Sequence, residues 1–242
     1  MATQNPDFAQ MQRRLRGLGL YPAAPYPIDD EWGSGMRDGI NALLDRAEKA
    51  AGVTPPAAPR WPQLPEAYAW LRTVDQLPRH VGIALDLLGT RELAGAANSP
   101  TIMGWTKELK DAGHPVLGYS ADSIAWCGLF VAIVMLRAQR PVPDNPLWAL
   151  NWSRWGEDGG QPDLGDVLVF KRDGGGHVAI YIGEDPAGYF HILGGNQSDQ
   201  VNIMRIAKSR LYACRQPPYK TKPAGARPMI LAAAGQISHN EA

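Results

Sequence analysis

Residues 123–138 read SIAWCGLFVAIVMLRA and are the most apolar stretch of the chain. Apolar residues occupy most faces of the helix that this stretch predicts, which is typical of a helix buried at the centre of a domain. Ser123 is a candidate N-cap, because its hydroxyl can accept a hydrogen bond from an unpaired N–H of the first turn. The uninterrupted apolar run, 129–136, is too short to cross a bilayer, which needs about 20 residues, so no stable membrane insertion is expected.

The residues on either side of this stretch differ in character. Upstream, the spacing of apolar residues predicts a short helix at 67–73 and two further helices at 81–88 and 102–109. Downstream, three short runs rich in β-branched and aromatic residues are bounded by Gly and Asp, which predicts strands. Helices followed by antiparallel strands indicate an α+β fold. The predicted strands are Asp166–Phe170, Val178–Ile182 and Tyr189–Leu193.

The composition divides the chain into four segments. Two amphipathic helices within 8–20 and 36–44 predict a small all-α module over residues 1–52. A Pro-rich segment, 53–66, is expected to form an extended linker. The α+β domain then covers residues 67–217, and a tail without clear periodicity covers residues 218–242.

The charges, cysteines and histidines argue against several classes of function. The 242 residues carry 24 basic and 24 acidic side chains, and without a surplus of Lys and Arg no nucleic acid partner is expected. The two cysteines have neither the spacing of a disulfide framework nor that of a zinc site. His80, His114 and His239 lack metal-ligand spacing, so neither a metal nor another cofactor is predicted. The first residues contain no apolar signal-peptide core, which favours synthesis in the cytoplasm without a Sec signal.

Cys127 is the candidate nucleophile. A thiol near the start of a helix faces the positive end of the helix dipole and unpaired N–H groups, and both favour the reactive thiolate. The same N–H groups can stabilise the oxyanion that forms when sulfur attacks a carbonyl group. The alternative is an inert, buried cysteine that packs as a small apolar side chain, which is what we expect for Cys214.

His177 is the candidate base. It follows three glycines at the start of a predicted strand, where its imidazole can take the thiol proton and pass it to a leaving amine. A base needs a third group that fixes its tautomer, and Asn196 and His191 are the candidates on the next strand. Because alternate residues of a strand point to opposite faces, both can face His177 only if a bulge intervenes at 194–195. We favour Asn196, whose amide can accept from the imidazole, and the alternative is that it is an ordinary turn residue.

Three tryptophans, Trp148, Trp152 and Trp155, lie close together with helical spacing. Aromatic side chains can line a substrate cleft, where they stack on sugars and peptides. Large aromatic residues are more often part of the core, however. We therefore expect these three in the core rather than in the site.

Four segments follow one another along the chain: DSIAWCGLFV (122–131), PDLGDVLVF (162–170), GGGHVAIYIGED (174–185) and HILGGNQSDQVNI (191–203). In this order they resemble the NlpC-type and CHAP superfamily of cysteine peptidases and amidases, and within it the branch common in bacteriophages. The resemblance implies a papain-like domain that cleaves amide bonds in peptidoglycan. It implies the roles of nucleophile for Cys127, base for His177 and third residue for Asn196.

The resemblance has two limits at the third position. Many NlpC-type members use a second histidine there, which keeps His191 as the alternative to Asn196. Many CHAP members place a glutamate two residues before the asparagine, and this chain has Gly194 at that position. The resemblance therefore does not extend to a mechanism assisted by glutamate.

The N-terminal segments MQRRLRGLGLY (11–21), IDDEWGSGM (28–36) and INALLDRA (40–47) also form a pattern. They resemble the helix, turn and helix of the three-helix peptidoglycan-binding module. The resemblance implies a binding groove that includes Tyr21, Asp29 and Trp32, whose aromatic faces suit a sugar. The alternative is a generic helical hairpin that packs on the following domain.

The expected activity is hydrolysis of an amide bond in the peptidoglycan stem peptide or cross-bridge, as in a phage endolysin. An endopeptidase and an N-acetylmuramoyl-L-alanine amidase need the same catalytic groups, so both remain open. A non-catalytic wall-binding or phage structural protein with the same fold is the alternative, and an amide-converting enzyme with another substrate is a third possibility. Without a Sec signal, the protein would reach the wall through holin-like release or as part of a virion. The sequence does not predict the oligomeric state.

Overall fold

The computed structural model describes residues 61–238, apart from residues 96 and 173. The predicted N-terminal module, with Tyr21, Asp29 and Trp32, lies outside these residues, as do His239 and most of the predicted linker. None of the helices in the described part of the chain is long and apolar enough to cross a membrane.

Helices make up the first half of the described chain, as the sequence predicts. The predicted short helix at 67–73 is a 3-10 helix, Glu66–Thr73, and further 3-10 helices cover Ala149–Arg154 and Lys208–Arg210. Pro100 begins the second α-helix, a position at which its missing N–H costs no hydrogen bond. The α-helices are α1 (Arg79–Asp86), α2 (Pro100–Asp111) and α3 (Cys127–Arg137).

Six strands form one antiparallel sheet. They are β1 (Glu157–Asp158), β2 (Val167–Arg172), β3 (Gly175–Asp185), β4 (Tyr189–Gly194), β5 (Asn202–Ala207) and β6 (Leu211–Gln216). Their order in the sheet is β1–β6–β2–β3–β4–β5. The three predicted strands are present as β2, β3 and β4, which confirms the α+β class. β1, β5 and β6 extend the sheet beyond the prediction.

The central strands are buried on both faces of the sheet. α3 packs against one face, which includes Val178 and Ile180, and every residue of α3 from Cys127 to Met135 is buried. The opposite face carries a second apolar cluster that includes Phe170 and Tyr181. Because side chains alternate along a strand, the position of a residue decides which of the two clusters it joins.

α3 begins at Cys127, later than the sequence predicts. Trp126 occupies the N-cap position and no side chain caps the helix, so Ser123 is not its N-cap. The preceding residues are held in a loop because the Asp122 carboxylate accepts hydrogen bonds from two backbone N–H groups of the segment before α2. Cys127 is therefore the first residue of the helix, where backbone N–H groups have no partner within the helix.

Two segments outside the predicted α+β domain pack on it. Trp61 is buried, and its indole N–H donates to the Asp86 carboxylate at 2.6 Å, so the described end of the predicted linker belongs to the folded body. The tail also joins the sheet. The carbonyl groups of Met229 and Gln236 each accept a backbone hydrogen bond of 2.8 Å, from β3 and β5 respectively. The tail is thus irregular, as predicted, but it is bound to the domain.

Candidate active site

Cys127 lies where the start of α3 meets strand β3. The residue is buried, with 6% of its surface exposed. The backbone N–H groups of Val178 and Gly128 lie near enough to the thiol to lower its pKa. Val178 directly follows His177 in the chain, so the thiol lies near the backbone of His177. The structure therefore brings the predicted nucleophile and the predicted base to one corner of the fold.

A gap in the sheet accommodates the thiol. The ladder between β3 and β4 begins at Ile180 paired with Leu193, so residues 175–179 have no β4 partner among the described residues. Tyr181 donates its N–H toward β2, to the carbonyl of Asp166 at 2.7 Å. Backbone N–H groups point alternately to the two sides of a strand, so the N–H of Val178 points to the side that β4 leaves uncovered. The thiol meets the strand in this gap.

Two glycines allow α3 to approach the neighbouring chain segments. A Cβ at Gly128 would lie 2.6 Å from the carbonyl oxygen of Leu147. A Cβ at Gly195 would lie 2.5 Å from the Cβ of Phe130. Both distances are shorter than any normal contact, so a side chain at either position would push α3 away from its neighbours. The position of Cys127 depends on both close approaches.

The imidazole of His177 lies on the sheet face opposite α3. It pairs with Phe170 of β2, and the two rings stack with their centroids 6.4 Å apart and an interplanar angle of 25°. The preceding Gly176 lets the 3-10 helix Ala149–Arg154 approach, since a Cβ there would lie 2.5 Å from the Cδ2 of Leu150. Cys127 thus meets β3 from the α3 side, whereas the His177 ring leaves the strand on the other face.

Gln197 contacts the imidazole and determines its tautomer. Its Oε1 lies 3.1 Å from Nε2 of His177. Its amide nitrogen lies 2.8 Å from the main-chain oxygen of Asn202, which can only accept, so the orientation of the amide is determined. Oε1 therefore accepts, and Nε2 of His177 carries the proton. Nδ1 is then the ring nitrogen that could take the thiol proton.

A tight turn between β4 and β5 presents Gln197 to the histidine. Asn196, Ser198 and Asp199 in this turn have left-handed backbones, with φ of 56°, 53° and 59°. Such conformations cost about 1 kcal/mol or more each, and they cluster at functional sites. Asn196, the favoured third residue, immediately precedes Gln197 in this turn. The alternation of strand residues does not point to Gln197, because alternation does not apply within a turn.

His191, the alternative third residue, belongs to a different polar network. It lies on the face of β4 that packs toward α3, next to Leu193. Its Nε2 is 3.0 Å from the Asp185 carboxylate and its Nδ1 is 2.8 Å from the hydroxyl of Tyr68. The register shift in this part of the sheet lies in the β3–β4 ladder between 181 and 183, rather than at 194–195. His191 and His177 therefore face opposite sides of the sheet.

The electrostatics of Cys127 differ from the sequence expectation. Burial raises the pKa of the thiol above its ordinary value. The N–H groups of Val178 and Gly128 and the positive charge of Arg172 lower this pKa only in part. Burial thus disfavours the thiolate more strongly than the helix start favours it. A raised pKa favours the thiol form, so a base would have to take the proton as the sulfur attacks.

A groove of about 560 Å³ opens beside the start of α3. We call it the uncharged groove, because none of its lining residues carries a charge. Of the three predicted core tryptophans, Trp152 and Trp155 are buried, whereas Trp148 is 56% exposed and lines this groove. The lining also includes Tyr119, Ile124, Ala125, Leu147 and Asn151.

A second groove, of about 490 Å³, lies on the other side of the loop that precedes α3. We call it the charged groove, because Arg91, Glu92 and Asp199 line it. Ser123 lines the charged groove, whereas Ile124, the next residue, lines the uncharged one. The short loop before Cys127 thus separates two surfaces of different polarity.

Neither a second reactive cysteine nor a metal site is found among the described residues. Cys214 is buried, and its sulfur lies 3.6 Å from the Asp166 carboxylate. Burial raises the pKa of the Cys214 thiol, and the nearby Asp166 raises it further. Among the described residues, no cluster of three or more His, Cys, Asp or Glu side chains could hold a metal ion.

No family model, curated protein or solved structure matches this chain. The resemblance of the four sequence motifs to the NlpC-type and CHAP superfamily therefore stays a prediction. An assignment of function has to come from the site residues themselves.

Proposed function

We propose that this protein is a cysteine-dependent amide hydrolase that acts on bacterial peptidoglycan. The observation that carries the proposal is the position of the buried Cys127 thiol, at the start of α3 and against the backbone of Val178, beside a histidine whose imidazole contacts Gln197. A nucleophile, a base and a group that orients the base are the parts required for acyl transfer. The choice of peptidoglycan as substrate rests on the sequence resemblance, including that of the N-terminal segment.

The mechanism follows from the positions of the protons. Nδ1 of His177 takes the proton from Cys127 as the sulfur attacks the carbonyl carbon of the amide. Backbone N–H groups at the start of α3 stabilise the oxyanion. The amine leaves with the proton from His177, and an acyl group remains on the sulfur. His177 then takes a proton from water, whose oxygen attacks the thioester to release the acid and restore the thiol.

The biological setting proposed for this chemistry is that of a phage endolysin. The bond cut lies in the stem peptide, at its junction with the glycan, or in the cross-bridge. The enzyme would reach the wall through holin-like release or as part of a virion. A cysteine at the start of α3 and a histidine near the start of β3 support this proposal.

The decisive test is turbidity loss of purified cell walls with wild-type protein and with Cys127→Ala. We expect Cys127→Ala and His177→Ala to lose at least about 1000-fold in rate, since removal of either group stops acyl transfer. Cys214→Ala is the matched control, because it removes the other buried thiol, and it should retain activity. Unchanged lysis by Cys127→Ala, with folding verified by circular dichroism, would overturn the proposal.

A second candidate function is a non-catalytic wall-binding or phage structural protein. The observation that favours it is the raised pKa of the buried Cys127 thiol. The rate of iodoacetamide alkylation near neutral pH, measured in Cys214→Ala so that one thiol remains, separates the two candidates. Faster alkylation in this protein than in the His177→Ala double variant supports the hydrolase. Equal and slow alkylation in both supports the non-catalytic protein.

A further inference from the structure

The uncharged groove opens close to the start of α3, where Ile124 and Ala125 line it. Leu147 lines it, and the carbonyl of this residue lies against Gly128, the neighbour of Cys127. Leu150, three residues later, lies against Gly176, the neighbour of His177. One chain segment, 145–151, therefore borders the groove and the start of α3, and it contacts β3 on the face away from the His177 ring. A substrate held at the sulfur would extend along this segment.

The chemistry of the uncharged groove suits a sugar ring. Trp148 presents an exposed indole, whose face can stack on the apolar face of a saccharide. Tyr119, with 7% of its surface exposed, has a buried hydroxyl without a hydrogen-bond partner. A hydroxyl or acetamido group of a ligand would satisfy it, because buried polar groups are normally paired. The side chains of Asn145 and Asn151 add neutral polar groups to the lining.

The charged groove suits the other part of the same substrate. Stem peptides of peptidoglycan carry free carboxylate and amine groups, and burying such charges without a partner is costly. The uncharged groove offers these charges no opposite charge, whereas the charged groove offers Arg91 for a carboxylate and Glu92 and Asp199 for an amine. The N-acetylated glycan has no need of such partners. The two grooves therefore match the two parts of a glycopeptide.

We infer that the uncharged groove binds the N-acetylated saccharide of the glycan strand and the charged groove binds the stem peptide. The inference rests on the proposed hydrolase function, because it treats both grooves as one substrate site. The scissile amide would then join the lactyl group of the sugar to the first amino acid. Cys127 would receive the lactyl acyl group, and the peptide would leave as the amine.

The first experiment compares two substrates. One is a disaccharide-bearing muramyl peptide, and the other is the same peptide capped with acetyl in place of the sugar. Products are identified by mass spectrometry of the new termini. We expect wild-type protein to release the intact stem peptide from the sugar, and Trp148→Ala to lower kcat/KM for this reaction about tenfold. Trp148→Phe should retain most of the rate. Tyr212→Ala, which removes an aromatic residue of similar exposure on β6, is the control.

The outcomes separate the groove assignment from the proposed function. Cleavage within the capped peptide, with an equal effect of Trp148→Ala on both substrates, would mean that the groove takes apolar peptide and would overturn the inference while leaving the hydrolase in place. If wild-type protein cleaves neither substrate, the proposed function fails. In that case, saccharide binding without catalysis tests whether the uncharged groove is a sugar site.

The second experiment measures that binding without catalysis. Cys127→Ala protein is titrated with a soluble tetramer of N-acetylglucosamine by calorimetry. All variants carry Trp32→Ala, so that a sugar site in the N-terminal segment does not contribute. We expect saccharide binding that weakens about tenfold on addition of Trp148→Ala and stays unchanged on addition of Tyr212→Ala. Equal affinity with and without Trp148, or no binding, would overturn the inference.

Discussion

Gln197 holds the imidazole of His177 because its own amide is held at both ends. Its nitrogen donates to the carbonyl and to the side-chain oxygen of Asn202, at 2.8 Å each. Asn202 in turn donates to the carbonyl of Gln197 at 2.9 Å. An amide restrained in this way cannot rotate to offer its NH₂ group to the histidine. The tautomer of His177 therefore depends on the hydrogen bonds between Gln197 and Asn202, as well as on the contact with Gln197 itself.

Replacement of Gln197 tests this role. We expect Gln197→Ala to lower kcat about 100-fold, because the proton of His177 is no longer held on Nε2, while KM changes little. The pH dependence of kcat should also shift, since the hydrogen bond to the imidazole affects its basicity. Steady-state kinetics from pH 5 to 9 provide the measurement.

Gln200→Ala is the matched control for Gln197→Ala. Gln200 is a glutamine of the same turn region, but its side chain accepts from Arg91 at 3.0 Å instead of from the histidine. An equal loss of kcat in both variants, or an unchanged pH profile in Gln197→Ala, would show that Gln197 supports the fold alone.

At the scale of the elements, helices and strands made of apolar runs could be predicted from the sequence. Strands that mix polar and apolar residues could not. α3 and the central strands β2, β3 and β4 are buried on both faces, so their sequences are nearly continuous apolar runs. β5, by contrast, contains Arg205 in the middle of its buried residues. That arginine is tolerated because it pairs with the buried Asp185 at 2.7 Å, a partner that no local pattern reveals. The alternation of apolar residues therefore does not predict strand β5.

The candidate site divides in the same way. The places of Cys127 at a helix start and His177 near a strand start could be predicted, because both kinds of start leave marks in the local sequence. The contact between Gln197 and His177 could not be predicted, because the direction of Gln197 depends on three left-handed residues around it. The two grooves could not be predicted either, since each combines residues from distant parts of the chain.

The close approach of α3 to the segment 145–151 gives a prediction for this element. Gly128→Ala places a Cβ against the carbonyl oxygens of Pro146 and Leu147, and backbone atoms cannot move aside cheaply. We expect this variant to lose about 2 kcal/mol of the free energy of unfolding, measured by urea denaturation, and to lose hydrolysis as Cys127 shifts.

Gly104→Ala is the matched control for Gly128→Ala. Gly104 is an exposed glycine inside α2, and a Cβ there would meet no atom within 4 Å. Alanine favours helix more than glycine, so this variant should gain up to about 1 kcal/mol in the free energy of unfolding. A Gly128→Ala protein as stable as Gly104→Ala would contradict the packing described for α3.

At the scale of the whole molecule, a buried polar network joins distant segments. Asp185 binds both His191 and Arg205, and His191 binds Tyr68 of the first 3-10 helix. Burial opposes ionisation of Asp185, but the hydrogen bonds from Arg205 and His191 outweigh it and hold its pKa below the ordinary value. The backbone of Arg205 also binds the tail at Gln236. The start, the sheet and the tail of the described chain are thus stabilised together.

His80 makes the stability of the whole molecule depend on pH. It is fully buried on α1, and its Nε2 donates to the carbonyl of Gly165 at 2.7 Å. Burial lowers its pKa from 6.5 to about 4, despite the bond to Gly165. The unfolded chain therefore binds a proton near pH 6.5, while the folded protein does so only near pH 4. This contribution is fully present above about pH 7 and is lost as the pH falls toward 4.

Comparison with His80→Gln isolates this contribution. Between pH 7 and pH 4, we expect wild-type protein to lose about 3 kcal/mol of unfolding free energy relative to His80→Gln. Burial raises the pKa of Asp166 to about 7, which gives the opposite slope over the same range, but both proteins share it. Urea denaturation at several pH values gives the measurement, and His114→Gln controls for the loss of a histidine. We expect His114→Gln to lose stability with falling pH as the wild-type protein does. A pH dependence as weak as that of His80→Gln would contradict the assignment to His80.

The left-handed turn around Gln197 suggests a way to identify distant homologues of this protein. Few residue types accept a positive φ, and Asn, Asp and Gly accept it most readily. Divergence can therefore alter most of the chain while the choice at 196, 198 and 199 stays narrow. A glycine pair, short polar residues flanking a glutamine, and a histidine twenty positions earlier would form a local fingerprint. Such a fingerprint could trace ancestry after overall similarity has faded.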